Sequence, residues 1–399
     1  MTVASNPALV TAIRQKIQHQ PQGRISFAEY MDAVLYHPAE GYYSRGAKLG
    51  AMGDFVTSSH LSADFGEMLA LQFVQIWEIL GSPSQFDLVE MGAGQGILAV
   101  DILRFIKQNH PNFFETITYT IIETSAALRQ QQQQIQGVKI RWVTWDELPD
   151  NSLCGCCFSN ELVDAFPVHR LQCQDGQWQE LYVTWNNQNE NEGDGEETGG
   201  FKEELGPLST PALAAYFEQV GVADYEWPEG YTTDVNLAAL SWLETLAEKL
   251  KRGYVITIDY GYEARRYYHP QRSRGTLQCY RQHRYHDDPY CFVGEQDITA
   301  HVDFTALQRQ GDRLGLEEEG FTPQALFLMA LGLGDRLAAL GRGSQPASGA
   351  DILRVMQRRE VLHGLLDPQG LGGFGVLVQS KGLPSDRPPL KGLTTPRMS

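Results

Sequence analysis

Five short apolar runs, separated by stretches of helical periodicity, most restrict what this chain can fold into. The runs are Phe86–Glu90, Thr118–Glu123, Val138–Thr144, Gly155–Ser159 and Tyr254–Asp259, each about one strand long. Between the first two, Ile97 to Ile106 has helical spacing with Ile97, Val100 and Leu103 expected inward. After the second, a helix is expected around Leu128. It contains the glutamine run Gln130 to Gln134, whose simplest reading is a solvated helix face. Strands alternating with helices predict an α/β fold with a doubly wound, mostly parallel sheet. Near-continuous apolar strands predict burial on both sheet faces. With 399 residues, 42% of them apolar, the chain can bury a large core.

Around this core, over residues 86–170 and 251–382, the sequence predicts three additions. Residues 1–85 form an N-terminal helical cap. In it Ser26 and Glu29 make a capping-box pattern, His37-Pro38 stops the helix that follows, and a further helix over about 61–80 aligns Phe65, Leu69, Phe73 and Ile76. Residues 171–250 are an insertion after strand four, with an acidic stretch at 186–200 that has almost nothing to bury and is expected to be a disordered loop. The Pro-rich tail over 383–399 is expected to be unstructured.

Lys and Arg number 32 against 49 Asp and Glu, a formal charge of −17. That balance argues against nucleic acid and against anionic membranes as partners. The most apolar helical stretch, 325–333, is too short for membrane insertion. The N-terminal residues lack the pattern of a secretory signal, so a cytoplasmic protein is expected. Cys154, Cys156 and Cys157 have no metal-ligand spacing and read as buried strand thiols. His283, His286 and Asp287 match no metal motif, so no metal is expected.

The turn Glu90-Met-Gly92-Ala-Gly94-Gln-Gly96 joins the first strand to the first core helix. Glycines there permit positive φ and close approach of a ligand to the backbone. The spacing is not that of a dinucleotide cradle, because Ile97 stands where a third glycine would be needed, and no phosphate-loop lysine follows. It matches the first motif of class I S-adenosylmethionine methyltransferases. That cofactor carries an ammonium and a ribose, which Glu90 and Glu123 suit at successive strand ends. Trp145 and Asp146 end the third strand, where they suit the adenine. In open α/β sheets ligands lie at those carboxyl ends.

The fourth strand runs into Asn160-Glu161-Leu-Val-Asp164. An Asn carbonyl and nearby carboxylates can accept N–H groups from a nitrogen nucleophile and hold a guanidinium fork. Glu161 and Asp164 are the leading catalytic candidates, with Asp259 at the end of strand five a third and Asn160 beside them. His301, in Asp297-Ile-Thr-Ala-His301-Val-Asp303-Phe304, is a candidate proton acceptor because a histidine ordinarily titrates near neutrality. For Asn160 and Asp164 the alternative is capping of the next helix.

Leu35-Tyr-His-Pro38 with Gly41-Tyr-Tyr43, Gly53-Asp-Phe-Val-Thr57-Ser58, Phe65-Gly-Glu67, Glu90 to Gly96, Asn160 to Pro167, Asp259-Tyr-Gly261 and Asp297 to Phe304 together resemble the MidA-like family. That family includes the mitochondrial complex I assembly methyltransferase and bacterial relatives. The resemblance implies a protein arginine N-methyltransferase using S-adenosylmethionine, with a respiratory NADH dehydrogenase-type subunit as protein partner. It also implies that the loop with Thr57 folds over the cofactor. Leu162-Val163 departs from the aromatics of the family pattern. A non-catalytic assembly scaffold and a small-molecule methyltransferase are the rival readings.

Overall fold

A seven-stranded sheet organises the unit made of Val56–Val163, Leu243–Gly261 and Gln310–Ser399. In the computed structural model, residues 5–45, 62–135, 139–187, 199–282, 284–342 and 349–395 are described. In chain order the strands are β1 (Phe86–Met91), β2 (Ile117–Ile122), β3 (Ile140–Val143), β4 (Leu153–Asn160), β5 (Leu250–Asp259), β6 (Glu317–Pro323) and β7 (Gly375–Lys381). They lie in the order β6-β7-β5-β4-β1-β2-β3. β1 to β5 are mutually parallel, whereas β7 is antiparallel to both β5 and β6. This is the mostly parallel class I α/β sheet that the five apolar runs predict. β6 and β7 are additional. β6 is an edge strand with three successive glutamates and mostly accessible side chains, so it carries no apolar run to find.

Residues of both orientations are buried along β1, β4, β5 and β7, so the sheet is covered on both faces. The helix Ala63–Ile79 buries Phe65, Leu69, Phe73 and Ile76, as their spacing predicts. The ring of Phe73 packs 4.9 Å from that of Phe158 on β4. Burying one such side chain contributes about 1.5–3 kcal/mol. The helix Ile97–Asn109 presents a different face from the expected one. It buries Leu98, Ala99, Ile102, Leu103 and Ile106, while Ile97 and Val100 are only half-buried. Four consecutive apolar residues, Ile97 to Val100, leave the helical phase open, and Ile102 and Ile106 settle it.

The expectation of an unstructured tail is corrected over its described part. Leu390 is buried, and Lys391–Leu393 form a 3-10 turn. The Gly392 N–H donates to Gln72 Oε1 at 2.9 Å and that of Lys391 to Gln75 Oε1 at 2.7 Å. The Arg387 guanidinium adds ion pairs to Glu317 and Glu319.

The second unit comprises Met1–Phe55, Asp164–Trp242 and Tyr262–Arg309. Its antiparallel sheet orders Arg24–Ser26, Gln177–Asn187, His169–Gln174 and Thr232–Val235, with Gly199–Gly206 also on Gln177–Asn187. The N-terminal segment is thus part of the sheet built by the insertion, and it contributes a strand as well as helices. Ser26 caps the helix Phe27–Tyr36 through the expected box: its Oγ accepts from the Glu29 N–H at 3.1 Å, and Glu29 Oε2 accepts from the Ser26 N–H at 3.0 Å. Of the acidic stretch 186–200, residues 188–198 lie outside the described residues, and Asn186 and Asn187 pair with Gly200 and Gly199. Among the described residues, no helix is long and apolar enough to cross a membrane.

Candidate active site

The sheet register brings the carboxyl ends of β1, β2 and β4 level, with Met91 opposite both Ile122 and Ser159. Strand order reverses between β1 and β4, which marks the crevice where ligands bind in open α/β sheets. Gly92, Gly94 and Gly96 all have positive φ, at 68°, 53° and 75°. At Gly92 a Cβ would stand 2.6 Å from Leu162 Cδ1, and at Gly96 one would stand 2.5 Å from Ile135 Cδ1. The turn therefore favours glycine for its conformation, and a Cβ would also displace the ends of Leu162 and Ile135.

Glu90 is buried at the end of β1, and Tyr119 Oη donates to its Oε2 at 2.7 Å. Burial, with a smaller push from Glu123, raises the Glu90 carboxyl to about 7 despite that hydrogen bond. Among the described residues no cation pairs with Glu90. A buried carboxylate partnered only by a phenol, beside a cradle of three left-handed glycines, fits the ammonium and methionine portion of S-adenosylmethionine.

Glu123 follows β2 and is also buried. Its Oε1 accepts from the Ser125 N–H at 2.8 Å and its Oε2 from Gln132 Nε2 at 3.0 Å. Each carboxylate oxygen keeps a lone-pair site for a further donor such as a ribose hydroxyl. Burial pushes its pKa up. Trp145 and Asp146 sit in the 3-10 turn Trp145–Glu147 directly after β3, Trp145 half-buried and Asp146 exposed. Thr57 lies outside the described residues.

Gln132 is the residue that sequence reasoning missed. It is fully buried, so the solvated-face reading of the glutamine run is corrected at this position. Its Nε2 donates to Gly94 O at 2.8 Å and to Glu123 Oε2, and its Oε1 accepts from Trp142 Nε1 at 3.0 Å. One amide therefore ties the glycine turn, the acid after β2 and a residue of β3. Five similar side chains in a row hide it. The available signal was Leu128, four residues earlier on the same helix face and likewise buried.

At the end of β4, Asn160 Nδ2 donates to Glu161 Oε1 at 3.0 Å, while Asn160 Oδ1 is buried without a hydrogen bond. Glu161 adopts a left-handed φ of 50°, and its N–H donates to Ile258 O at 2.9 Å. Strain of this kind in a non-glycine residue costs about 1–3 kcal/mol and gathers at functional sites. Asp259 is fully buried at the end of β5. Its Oδ2 accepts from the N–H groups of Leu162 (3.2 Å) and Val163 (2.9 Å), and its Oδ1 from Tyr260 (2.9 Å). Three backbone N–H groups thus tie that carboxylate to the segment after β4 and to its own strand end.

Asp164 and His301 belong to the other unit. Asp164 is buried, and its backbone carbonyl accepts from the Ala300 N–H at 2.9 Å. His301 does not titrate near neutrality: burial, Arg272 and Arg266 push it down to about 4. At neutral pH it is an uncharged ring and a weak base. Among the described residues, no cluster of His, Cys, Asp and Glu is arranged to hold a metal.

A family model described as S-adenosyl-L-methionine-dependent methyltransferase matches residues 68–322. A Burkholderia thailandensis protein described as a "superfamily member and likely methyl transferase", crystallised bound to S-adenosyl-homocysteine, shares 31% identity with a TM-score of 0.83, covering 100% of this chain and 99% of that one. Among curated relatives, the Drosophila melanogaster "Protein arginine methyltransferase NDUFAF7 homolog, mitochondrial" is 29% identical over 81% of this chain and 75% of its own length. The Homo sapiens "Protein arginine methyltransferase NDUFAF7, mitochondrial" is 28% identical over 92% and 82%. The resemblance read from the sequence holds, and with it the cofactor S-adenosylmethionine and the assignment as an enzyme. The cytoplasmic expectation is overturned, because these curated relatives are mitochondrial proteins. Thiols and an aqueous surface suit any reducing compartment, so composition had no means of separating the two.

Proposed function

The chain belongs to this family of S-adenosylmethionine-dependent methyltransferases, and on that premise we propose that it methylates an arginine side chain of a protein, a subunit of a respiratory NADH dehydrogenase-type complex, as an assembly factor. The observation that carries the arginine is Asn160. A buried acceptor left without a donor costs about 1–3 kcal/mol, so Asn160 Oδ1 calls for an N–H from the substrate. The Glu161 carboxylate beside it adds the charge that a guanidinium fork requires. The names of the curated relatives support the same substrate class.

S-adenosylmethionine, when bound, supplies an electrophilic methyl group on sulfur. The chain's own residues orient and desolvate. Glu90 receives the ammonium, the Gly92–Gly96 turn lies against the methionine portion, and Glu123 takes the ribose hydroxyls. Trp145 and Asp146 flank the adenine. Thr57 belongs to the covering loop of the family pattern. Across the crest, Asn160 and Glu161 accept N–H groups of the acceptor guanidinium. A free guanidinium has a pKa above ~12 and is a poor nucleophile, so Glu161 serves by localising its charge on the nitrogens it holds. Glu161 then accepts the proton released on transfer. Asp259 fixes the turn that aims both side chains. His301 is not needed as a base.

Two experiments test this reading. Incubation with radiolabelled S-adenosylmethionine and cell extract should label protein. Label confined to small molecules selects a small-molecule methyltransferase, and cofactor binding without any label selects a scaffold. Mass spectrometry of respiratory-complex subunits from a deletion strain should reveal one missing arginine methylation. An unchanged set of modifications overturns the assignment of that partner.

A further inference from the structure

Between Ala264 and His286 the sequence carries six arginines (265, 266, 272, 274, 281 and 284) and no acidic residue, in a chain of formal charge −17. Two of them converge on one ring. The guanidinium carbons of Arg266 and Arg272 lie 4.2 Å and 4.1 Å from the centroid of the Tyr262 ring. The His301 ring stands 5.3 Å from the same centroid, at 69°. All four residues belong to one unit.

The arrangement is built into the backbone. The Arg266 N–H donates to Glu263 O at 2.9 Å, that of Arg272 to His269 O at 2.8 Å, and that of Ala264 to Thr305 Oγ1 at 2.9 Å. Among the described residues neither guanidinium forms an ion pair or a hydrogen bond. Stacking on Tyr262 steadies each cation but does not neutralise two like charges gathered on one phenol. Their joint field reaches His301, which they and burial hold uncharged. The planar forks keep their N–H edges for an incoming anion, and a carboxylate matches that geometry bidentately.

We propose that Arg266 and Arg272, stacked on Tyr262, form a receptor for a carboxylate of an acidic segment of the protein substrate. This rests on the reading that the substrate is a protein. A short acidic segment is favoured over a polyanion because the rest of the strongly acidic chain repels a nucleic acid, while one or two carboxylates feel mainly the local arginines. Tyr262 follows Asp259 by three residues, so the receptor lies in the segment directly after strand five. A cationic contact there favours substrate sequences that carry an acidic side chain.

The test uses the full chain and a fluorescein-labelled hexaglutamate peptide, read by anisotropy at low salt. The wild type should bind it. Arg266→Gln and the double variant Arg266→Gln/Arg272→Gln should weaken binding, the double by about tenfold. Arg266→Lys should retain only part of it, because an ammonium keeps the charge but offers no planar fork, and Arg284→Gln should change it little. S-adenosyl-homocysteine affinity should be equal in all, which separates a lost receptor from a damaged fold. By NMR, peptide binding should raise the pKa of His301, as should the double substitution. Equal peptide affinity in wild type and both Gln variants overturns the proposal. So does stronger competition by inorganic phosphate or oligo-dT than by unlabelled hexaglutamate, which assigns the arginines to another anion. If peptide binding depends on the arginines but no protein is ever labelled with methyl groups, the receptor stands and the methyltransferase substrate assignment falls instead.

Discussion

The two halves of the sheet's carboxyl edge treat their polar groups in opposite ways. After β1 to β3, the side chains are held by hydrogen bonds: Tyr119 to Glu90, and in a separate set Ser125 and Gln132 to Glu123, with Gln132 onward to Gly94 and Trp142. After β4 and β5, Asp259 serves the backbone, Glu161 sits in a strained conformation and Asn160 Oδ1 is buried without a donor. On the proposed reading, the first half is largely preorganised for an invariant cofactor, with Glu90 left to meet the ammonium. The second leaves Asn160 Oδ1 for a variable acceptor to complete.

Substitutions can break this contrast on either side. The largest effect is expected from Glu161→Gln, which should lower turnover by at least ~10²-fold while leaving S-adenosyl-homocysteine affinity nearly unchanged. Normal turnover would make Glu161 merely structural. On the cradle side, Gly94→Val should weaken cofactor binding by about 100-fold, or ~2.8 kcal/mol by calorimetry, because a β-branched residue cannot take φ of 53° without strain. Unchanged affinity would rule out the placement of the pocket.

Two smaller effects sharpen the picture. With Glu90 raised to about 7, cofactor affinity should increase about tenfold from pH 6 to pH 8, as the carboxylate ionises to meet the ammonium. Glu90→Gln should flatten that profile. The apoprotein should respond with the opposite sign. The Glu90 pKa is raised on folding from 4.5, so its contribution to stability is full below 4.5 and is lost as pH climbs through about 7, which thermal melts of the apoprotein against Glu90→Gln can follow. Gln132→Leu should cost a few-fold in cofactor affinity, on the order of 1 kcal/mol, because it releases Glu123 and the turn without removing either. No change would show that Gln132 only packs.

Much of this was legible in the sequence. The five parallel strands announce themselves because burial on both faces demands continuous apolar runs, and the glycine turn because only glycine tolerates three positive φ values so close together. What escaped was encoded in partners distant along the chain. β6 is recruited by β7 from far along the chain, Phe321 opposite Leu377 for instance, and its own residues do not advertise a strand. Gln132 looks like its neighbours until Gly94, Glu123 and Trp142 converge on it. Asp259 reads as a catalytic acid by type, yet three backbone N–H groups claim it. His301 reads as a neutral-range base by type, yet burial, with Arg272 and Arg266, pushes it down. Residue type proposes a role, and the charges and donors around it decide the role.

The account turns on where the sulfonium donor lies. A crystal structure of the chain with S-adenosyl-homocysteine tests it most directly. The account predicts the amino group within hydrogen-bond or single-water reach of Glu90, the ribose hydroxyls on Glu123, and the sulfur facing Asn160 and Glu161. A ligand bound away from the Gly92–Gly96 turn, or one leaving Glu90 and Glu123 untouched, would contradict it.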